Sequence, residues 1–448
     1  MNNTMKHLKL SLLLVTIFYL LGCETAINQE KQSEVNAESE EMSITEASID
    51  AVLSFVKEVY PQKYKTLSLT KETLQPEFVT NASYERNKFF APSTDNTNKE
   101  IDTLLSVINF GNDEGFAIVS TKDNQVLAVT ESGNLSAEEL TMDYSEEDFE
   151  NNPKALISNY IANYTSSLPT IPVGPIGPIT PPIGPMDPID SIDMGHMIRG
   201  PWETETETQI NPLIKINLHQ KSPYNKFCIG SQGYPIATGC VTIAVMHIMS
   251  ANRYPDSIGT TKYNWDTIIE EYRINSTVRD TLAKWIQIIG EKCGIVYESD
   301  TVSSTIYKAK NCLSLYTGYK NLKIIENPSY EDVSYMIKKR TPLYFRGARM
   351  NNGERGAHAW VIDGIVNQKQ VVKLYNSNDN LIGEYYETRG LVHCNWGWEG
   401  SLCNGYYAMN IFNLNNGAII PDKTTSSDSK DCYYNLDIKA ITYDLVIE

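Results

Sequence analysis

A thiol at the head of a helix is the natural place to begin. In Ala237-Thr238-Gly239-Cys240-Val241-Thr242-Ile243-Ala244-Val245-Met246-His247-Ile248-Met249, the apolar residues Val241, Ala244, Val245, Ile248 and Met249 recur at i, i+3, i+4, i+7 and i+8. That spacing predicts an amphipathic helix with one buried face. Thr238 is placed to cap it, and Gly239 lets the backbone turn into the first helical residue. Cys240 then sits where unbonded backbone N–H groups and the helix dipole favour negative charge. Such positions pull a cysteine pKa from about 8.5 to as low as about 3.5. A small buried residue starting a core helix would give the same pattern, so the thiol has to be weighed with its partners.

A thiolate nucleophile needs a base, a group that orients the base, and donors for the developing oxyanion. The chain has 6 histidines. His7 lies in an N-terminal leader, His196 beside a proline-rich stretch, and His247 within the helix beyond reach of its first residue. His219, His358 and His393 remain. His358 lies in Gly353-Glu354-Arg355-Gly356-Ala357-His358-Ala359-Trp360-Val361-Ile362-Asp363-Gly364, at the start of an expected strand. Downstream, His393-Cys394-Asn395-Trp396-Gly397-Trp398-Glu399-Gly400 offers Asn395 to accept the ring N–H of His358 and fix its tautomer. Trp396 and Trp398 are candidates to shield that bond or line a cleft, and plain core packing would equally employ two tryptophans around a glycine. Gln220, upstream of Cys240, can supply an oxyanion donor beside the Cys240 N–H.

These residues carry a resemblance. Gln-x-x-Pro-Tyr-Asn from Gln220, Thr-Gly-Cys-Val-x-x-Ala-x-x-x-Ile-Met ending in Tyr254-Pro255, Gly-x-His-Ala-Trp-Val-x-Asp-Gly, and Asn-Trp-Gly-Trp-x-Gly follow one another in the order of the streptopain family of cysteine peptidases. The chain resembles that family over about residues 212–410. Family members usually carry a tryptophan and a small residue before the glutamine, where this chain has Asn217-Leu218-His219. Val107-Ile108-Asn109-Phe110 and Gly115-Phe116-Ala117-Ile118-Val119-Ser120 also resemble that family's prosegment. The resemblance implies a papain-like fold and catalytic roles for Cys240, His358, Asn395 and Gln220. It further implies a zymogen whose inhibitory prodomain is removed by cleavage, protein or peptide substrates, and no cofactor.

The elements that must hold these groups fall into distinct stretches. Lys6, His7 and Lys9 precede the apolar run Leu10–Leu21, which is short for a membrane span and reads as a signal peptide over residues 1–22. Its end, Leu20-Leu21-Gly22-Cys23, resembles a bacterial lipobox with Cys23 as the lipidated residue; an ordinary secretory signal is the alternative. Residues 23–43 read as a polar tether. Residues 44–166 read as a small α+β domain: a helix over Ile44–Tyr60 stopped by Pro61, a meander of Leu104–Phe110, Phe116–Ser120 and Val126–Val129, then helix over Ser136–Tyr164 broken near Pro153. Residues 167–204 hold a proline-rich linker, extended and open to proteolysis, with Met197-Ile198-Arg199-Gly200 as a second candidate cut. From residue 205 to 448, helices over Asp266–Tyr272, Thr277–Cys293, Val302–Leu313 and Ser329–Lys338 precede the strands Leu343–Phe345, His358–Val366, Val371–Tyr375, Ile382–Tyr386, Leu391–Asn395 and Gly405–Asn410. Helices followed by an antiparallel sheet make an α+β domain.

Charge and cysteine content narrow the classes further. Residues 24–166 hold 26 acidic and 10 basic residues, against 29 and 26 from 167 onward. Neither region has the basic surface of a nucleic-acid binder. Apart from Cys23, 7 cysteines remain, Cys228, Cys240, Cys293, Cys312, Cys394, Cys403 and Cys432. An odd number in an exported chain suggests one free thiol and up to three disulfides. The absence of Cys-x-x-Cys and His-x-x-x-His spacing argues against structural zinc. The expectation is an exported, lipid-anchored cysteine endopeptidase made as a zymogen, with release from the membrane on processing as one outcome. A Cys-dependent acyltransferase and a catalytically silent surface-binding lipoprotein on the same fold are the alternatives.

Overall fold

The computed structural model describes residues 44–80, 103–142, 144, 152–167, 195–258, 261–262, 264–299, 304–351, 354–398, 402–412 and 437–444. The signal peptide, Cys23, the tether, residues 168–194 of the linker and Cys432 lie outside the described residues.

The N-terminal region begins with α1 (Ile44–Val59) and α2 (Pro61–Leu67). Pro61 does not simply stop the first helix. Tyr60 leaves the helical region at φ −125°, and Pro61 opens a second helix from its first position, where a missing N–H costs nothing. Strands β1 (Pro76–Thr80), β2 (Thr103–Asn109), β3 (Phe116–Ser120) and β4 (Gln125–Thr130) form an antiparallel meander. Two helices follow, α3 (Ala137–Thr141) and α4 (Pro153–Ser167). Ser136 and Glu139 close a reciprocal capping box at the start of α3. Among these strands only β1 escaped the sequence pattern: its burial is irregular, so no alternation marks it.

Two edge strands come next, β5 (His196–Arg199) and β6 (Glu203–Ile210), and both lie on β11. The alternating Glu and Thr of Glu203–Ile210 straddle the expected linker boundary at residue 204, and no apolar face marks them as a strand. A helical section follows: α5 (Cys240–Asn252), the short β7 (Ser257–Ile258) and β8 (Thr261–Lys262), α6 (Trp265–Glu271), α7 (Ser276–Lys292) and α8 (Ile306–Leu315). Asn264, Asn275 and Thr305 cap α6, α7 and α8 through their side-chain oxygens. The sheet section holds β9 (Lys320–Glu326), α9 (Tyr330–Lys338), β10 (Leu343–Asn351), β11 (Glu354–Tyr375), β12 (Leu381–Asn395), β13 (Gly405–Ala408) and β14 (Asp437–Asp444). The paired strand segments expected on either side of residues 367–370 and 387–390 are each continuous, because β11 and β12 form one long hairpin whose polar middle is still ladder-bonded. The fold is α+β.

All these strands but the β7–β8 pair join one antiparallel sheet of 12 strands, with the central order β1-β2-β3-β4-β13-β12-β11-β10-β14-β9. The junction is β4 on β13, where Ala128, Val129 and Thr130 face Tyr407, Tyr406 and Gly405. The N-terminal region therefore extends the same sheet that carries His358. Around His358 the neighbouring strands β10 and β11 are buried on both faces, and their side chains alternate between two cores as the strand period requires. Leu343, Phe345, Trp360 and Ile362 pack with Leu156, Tyr160 and Ile161 of α4. Tyr344, Ala359 and Val361 pack on the other face with Val241, Ala244, Val245 and Ile248 of α5.

Candidate active site

Cys240 opens α5, as the helical spacing predicts. The cap differs: Gly239, at φ 85°, occupies the N-cap with no side-chain hydrogen bond, and Thr238 is buried one residue earlier. That backbone conformation is strained for any residue with a Cβ, which accounts for glycine immediately before the cysteine. No side chain therefore competes at the helix start, and the Thr238 carbonyl is held by the Tyr297 hydroxyl at 3.1 Å.

The thiol stands apart from the other cysteines by exposure. Among the six described cysteines, Cys228, Cys293, Cys312, Cys394 and Cys403 are buried thiols, and Cys240 alone is only partly buried. The expected disulfides do not form among the described residues. Burial pushes the Cys228 thiol up to about 11 and Cys403 up to about 12, and drives Cys293 and Cys394 well above the ordinary range. Those groups stay protonated and inert. Cys394 and Cys403 thus pack beneath the site rather than bridging it.

Gln220 is brought to the thiol by a closed loop. The Thr238 N–H donates to the Gln220 carbonyl at 3.1 Å, so the two ends of residues 220–238 meet two residues before Cys240. The strand of chain entering that loop is also fixed. Leu213 and Ile214 donate their N–H groups to the carbonyl and carboxylate of buried Asp363, at 3.0 and 2.9 Å. Leu218 donates to His247 Nε2 at 3.0 Å. His247, set aside as too far along the helix to act on the thiol, ties that helix to the chain leading to Gln220. Burial holds its imidazole neutral, down at about 3, which suits its acceptor role.

His358 lies near the start of β11 with 1% of its surface exposed. Its ring stacks on Trp398 with centroids 4.3 Å apart and planes 8° from parallel, and Trp360 and Trp396 complete an aromatic cage. Nε2 lies 2.9 Å from the Trp396 carbonyl. A carbonyl only accepts, so Nε2 carries the proton and Nδ1 keeps the lone pair needed to take one from a thiol. Burial lowers the His358 pKa to about 4, with the Trp396 carbonyl opposing that shift. In this form the imidazole is neutral.

Asn395 does not take the ring N–H directly. Its Oδ1 accepts the Gly397 N–H at 3.2 Å, within the peptide unit whose carbonyl oxygen belongs to Trp396. Because that unit is planar, gripping its N–H aims its carbonyl. The side chain of Asn395 is one peptide removed from the imidazole because β12 pairs Asn395 with Val361, three residues beyond His358. Gly397, at φ 73°, turns the chain so closely over α5 that a Cβ there would lie 2.7 Å from Ile243 Cγ2. The turn holding the imidazole thus abuts the first turn of the cysteine's helix.

A second polar cluster escaped the sequence reading because its members are far apart in the chain. Buried His393 places Nδ1 2.6 Å from Asp363 Oδ1 and Nε2 3.3 Å from Glu131 Oε1. Burial alone would lower its pKa, but the two carboxylates more than offset this and raise it to about 10. Glu131 belongs to the N-terminal region, just after β4. Lys63 also reaches in, 2.5 Å from the Glu131 carbonyl. Nothing among the described residues gathers three or more His, Cys, Asp or Glu in a metal-holding group.

Residues 218–407 match the Peptidase C10 family. Similar solved structures include two from Prevotella intermedia. One is a cysteine-to-alanine mutant fragment of prointerpain A, 18% identical, covering 82% of this chain and 98% of its own, with a TM-score of 0.45. The other is active wild-type interpain A cysteine protease, 20% identical, covering 52% and 94%, with a TM-score of 0.38. A search of curated proteins finds no match.

Proposed function

We propose, from the match of residues 218–407 to the Peptidase C10 family, that this chain is a cysteine peptidase of that kind, an exported, lipid-anchored endopeptidase zymogen. Cys240 attacks the scissile carbonyl and His358 carries the proton. The oxyanion is received by the Cys240 N–H and the Gln220 amide, and His358 then protonates the leaving amine. Water, with His358 as base, hydrolyses the thioester. Trp396 directly, and Asn395 through the peptide unit, keep the imidazole aimed. The single observation that carries this reading is the thiol itself: it is the least buried described cysteine, at an uncapped helix start, with the Gln220 backbone docked two residues away.

Residues 44–166 act as the inhibitory prodomain. They cover the tryptophan cage and leave its imidazole neutral, whereas a working thiolate–imidazolium pair needs it charged. Of the two candidate cuts, the proline-rich stretch before residue 195 is favoured. Arg199 is paired through β5 to Val372, and its guanidinium forks onto Glu387 at 3.2 and 3.1 Å. Anchoring rests on the leader and Cys23, which resemble a lipoprotein signal; a cut in the linker separates the peptidase from the lipid unless the prodomain stays bound.

Replacing Cys240 with Ala tests the assignment. Folding should persist while peptide hydrolysis and self-processing vanish, and undiminished turnover would falsify it. Incorporation of labelled fatty acid, lost in Cys23→Ser, checks the anchor. Mass spectrometry of the processed N-terminus locates the cut.

A further inference from the structure

We propose that Asn404 is a positioning residue for the reaction, acting on His358 through the backbone of Trp396. The inference rests on the reading of His358 as the proton carrier. Trp396 lies between two peptide units. The one after it presents its carbonyl to His358 Nε2 at 2.9 Å and has its N–H on Asn395 Oδ1 at 3.2 Å. The unit before it presents the Trp396 N–H to Asn404 Oδ1 at 2.9 Å. With both planes gripped, the two dihedrals of Trp396 are fixed, and with them the direction of the carbonyl.

Among the described residues, the side-chain acceptors on the N–H groups of this backbone come from Asn395 and Asn404. Gly397 adopts φ 73°, a conformation that leaves the following chain permissive. Asn404 is 2% exposed, so water cannot readily replace its amide oxygen. The same residue meets the N-terminal region: its carbonyl accepts the Glu131 N–H at 2.6 Å. The seam between β4 and β13 therefore ends on the residue that holds Trp396. Neither fact is visible in the family-like motif around Asn395, because Asn404 reaches that motif only through the β12–β13 turn.

The processed enzyme provides the test, with any variant that processes slowly cut by added wild-type enzyme. Asn404→Leu keeps the approximate volume and removes the acceptor, whereas Asn404→Asp keeps an acceptor oxygen. For Asn404→Leu, kcat should fall about 10- to 100-fold with KM within about twofold, the scale of a small misplacement of a reacting group. The carbonyl favours the imidazolium, so a weakened contact lowers the His358 pKa and the alkaline limb of kcat/KM should move to lower pH. Asn404→Asp should keep kcat within about threefold and leave that limb in place.

An unmoved alkaline limb in Asn404→Leu, with or without loss of rate, overturns the positioning role. So does a folded Asn404→Asp as inactive as Asn404→Leu, or failure of both variants to fold. Should only Asn404→Leu fail to fold, the activity and pH profile of Asn404→Asp decide. His358→Ala is the separate control: an active His358→Ala enzyme removes the premise, while an inactive one leaves Asn404 to be judged on its own variants.

Discussion

The two sides of the candidate site are built from different parts of the chain. The side that holds Cys240 packs into a core drawn from residues 214–443, with no described residue of the N-terminal region in it. The side that holds His358 shares its core with the N-terminal region: Leu156, Tyr160 and Ile161 of α4 lie in one cluster with Trp360, Trp396 and Trp398. Tyr160 alone stands 6.0 Å from Trp360, 6.3 Å from Trp396 and 5.0 Å from Phe412. On the proposed reading, the thiol nucleophile is thus held by a core that the C-terminal region supplies by itself. On the same reading, the base lies beside tryptophans whose packing the proposed prodomain completes. In the proposed zymogen the thiol need not be disturbed for the enzyme to be silent, because a buried neutral imidazole is enough.

Substitutions on the two faces should separate cleanly. Tyr160→Ala removes a fully buried ring from the shared core, a change that typically costs about 3–5 kcal/mol. The isolated variant prodomain, added to processed enzyme, should inhibit at least about 100-fold more weakly, at about 1.4 kcal/mol per tenfold. An unchanged inhibition constant would break the comparison. Leu282→Ala, in the core on the cysteine's face, should cost about 2–5 kcal/mol of stability in processed enzyme and precursor alike. It should leave prodomain affinity unmoved, as read by thermal melting beside the same inhibition assay.

Glu131→Gln is a smaller change at the seam. It leaves His393 with Asp363 and removes the charge on Nε2, and hydrogen bonds to charged groups contribute about 1.5–3 kcal/mol. Prodomain affinity should fall about 10- to 100-fold, with processed-enzyme kinetics unaltered. Equal affinity for both prodomains would assign the seam to apolar packing alone.

The mildest test is pH. The His358 pKa is lowered to about 4 in the precursor, so the open state binds the extra proton. Closure is then favoured above about 6.5, the ordinary histidine value, and weakens as pH falls toward about 4. His393 has the opposite sign. Asp363 and Glu131 together raise its pKa to about 10, and only the Glu131 share belongs to closure, so that share is present while His393 is protonated and is lost as pH rises through about 10. Alkylation of Cys240 in a precursor that cannot process, with His358 replaced by Gln, should lose the acid-side acceleration seen in a precursor that keeps His358 but is likewise blocked in processing. Identical acid-side profiles would place the pH response elsewhere.

Much of this was legible in the sequence because it depends on local chemistry. The alternation and helical spacing gave α1, β3 and α5 nearly to the residue, since apolar periodicity is set by which face is buried. The thiol, imidazole and amide types around Cys240, His358 and Gln220 were equally readable, because each sits in a short motif of turn residues and apolar positions. Polar strands such as Glu203–Ile210 were not, since their pairing with β11 is the only thing that orders them.

By itself, then, the sequence determined an α+β chain with a candidate nucleophile at a helix start and a histidine at a strand start. Tertiary structure alone decided which groups answer to which. It put the Trp396 carbonyl on the imidazole and Asn395 one peptide away, kept Cys394 and Cys403 apart as buried thiols, and joined Glu131 to His393 across 262 residues. The physical reason is that hydrogen bonds and burial depend on distances in space. Strand register sets those distances between residues remote in the chain, and register is specified by which face of each strand is buried in the assembled sheet.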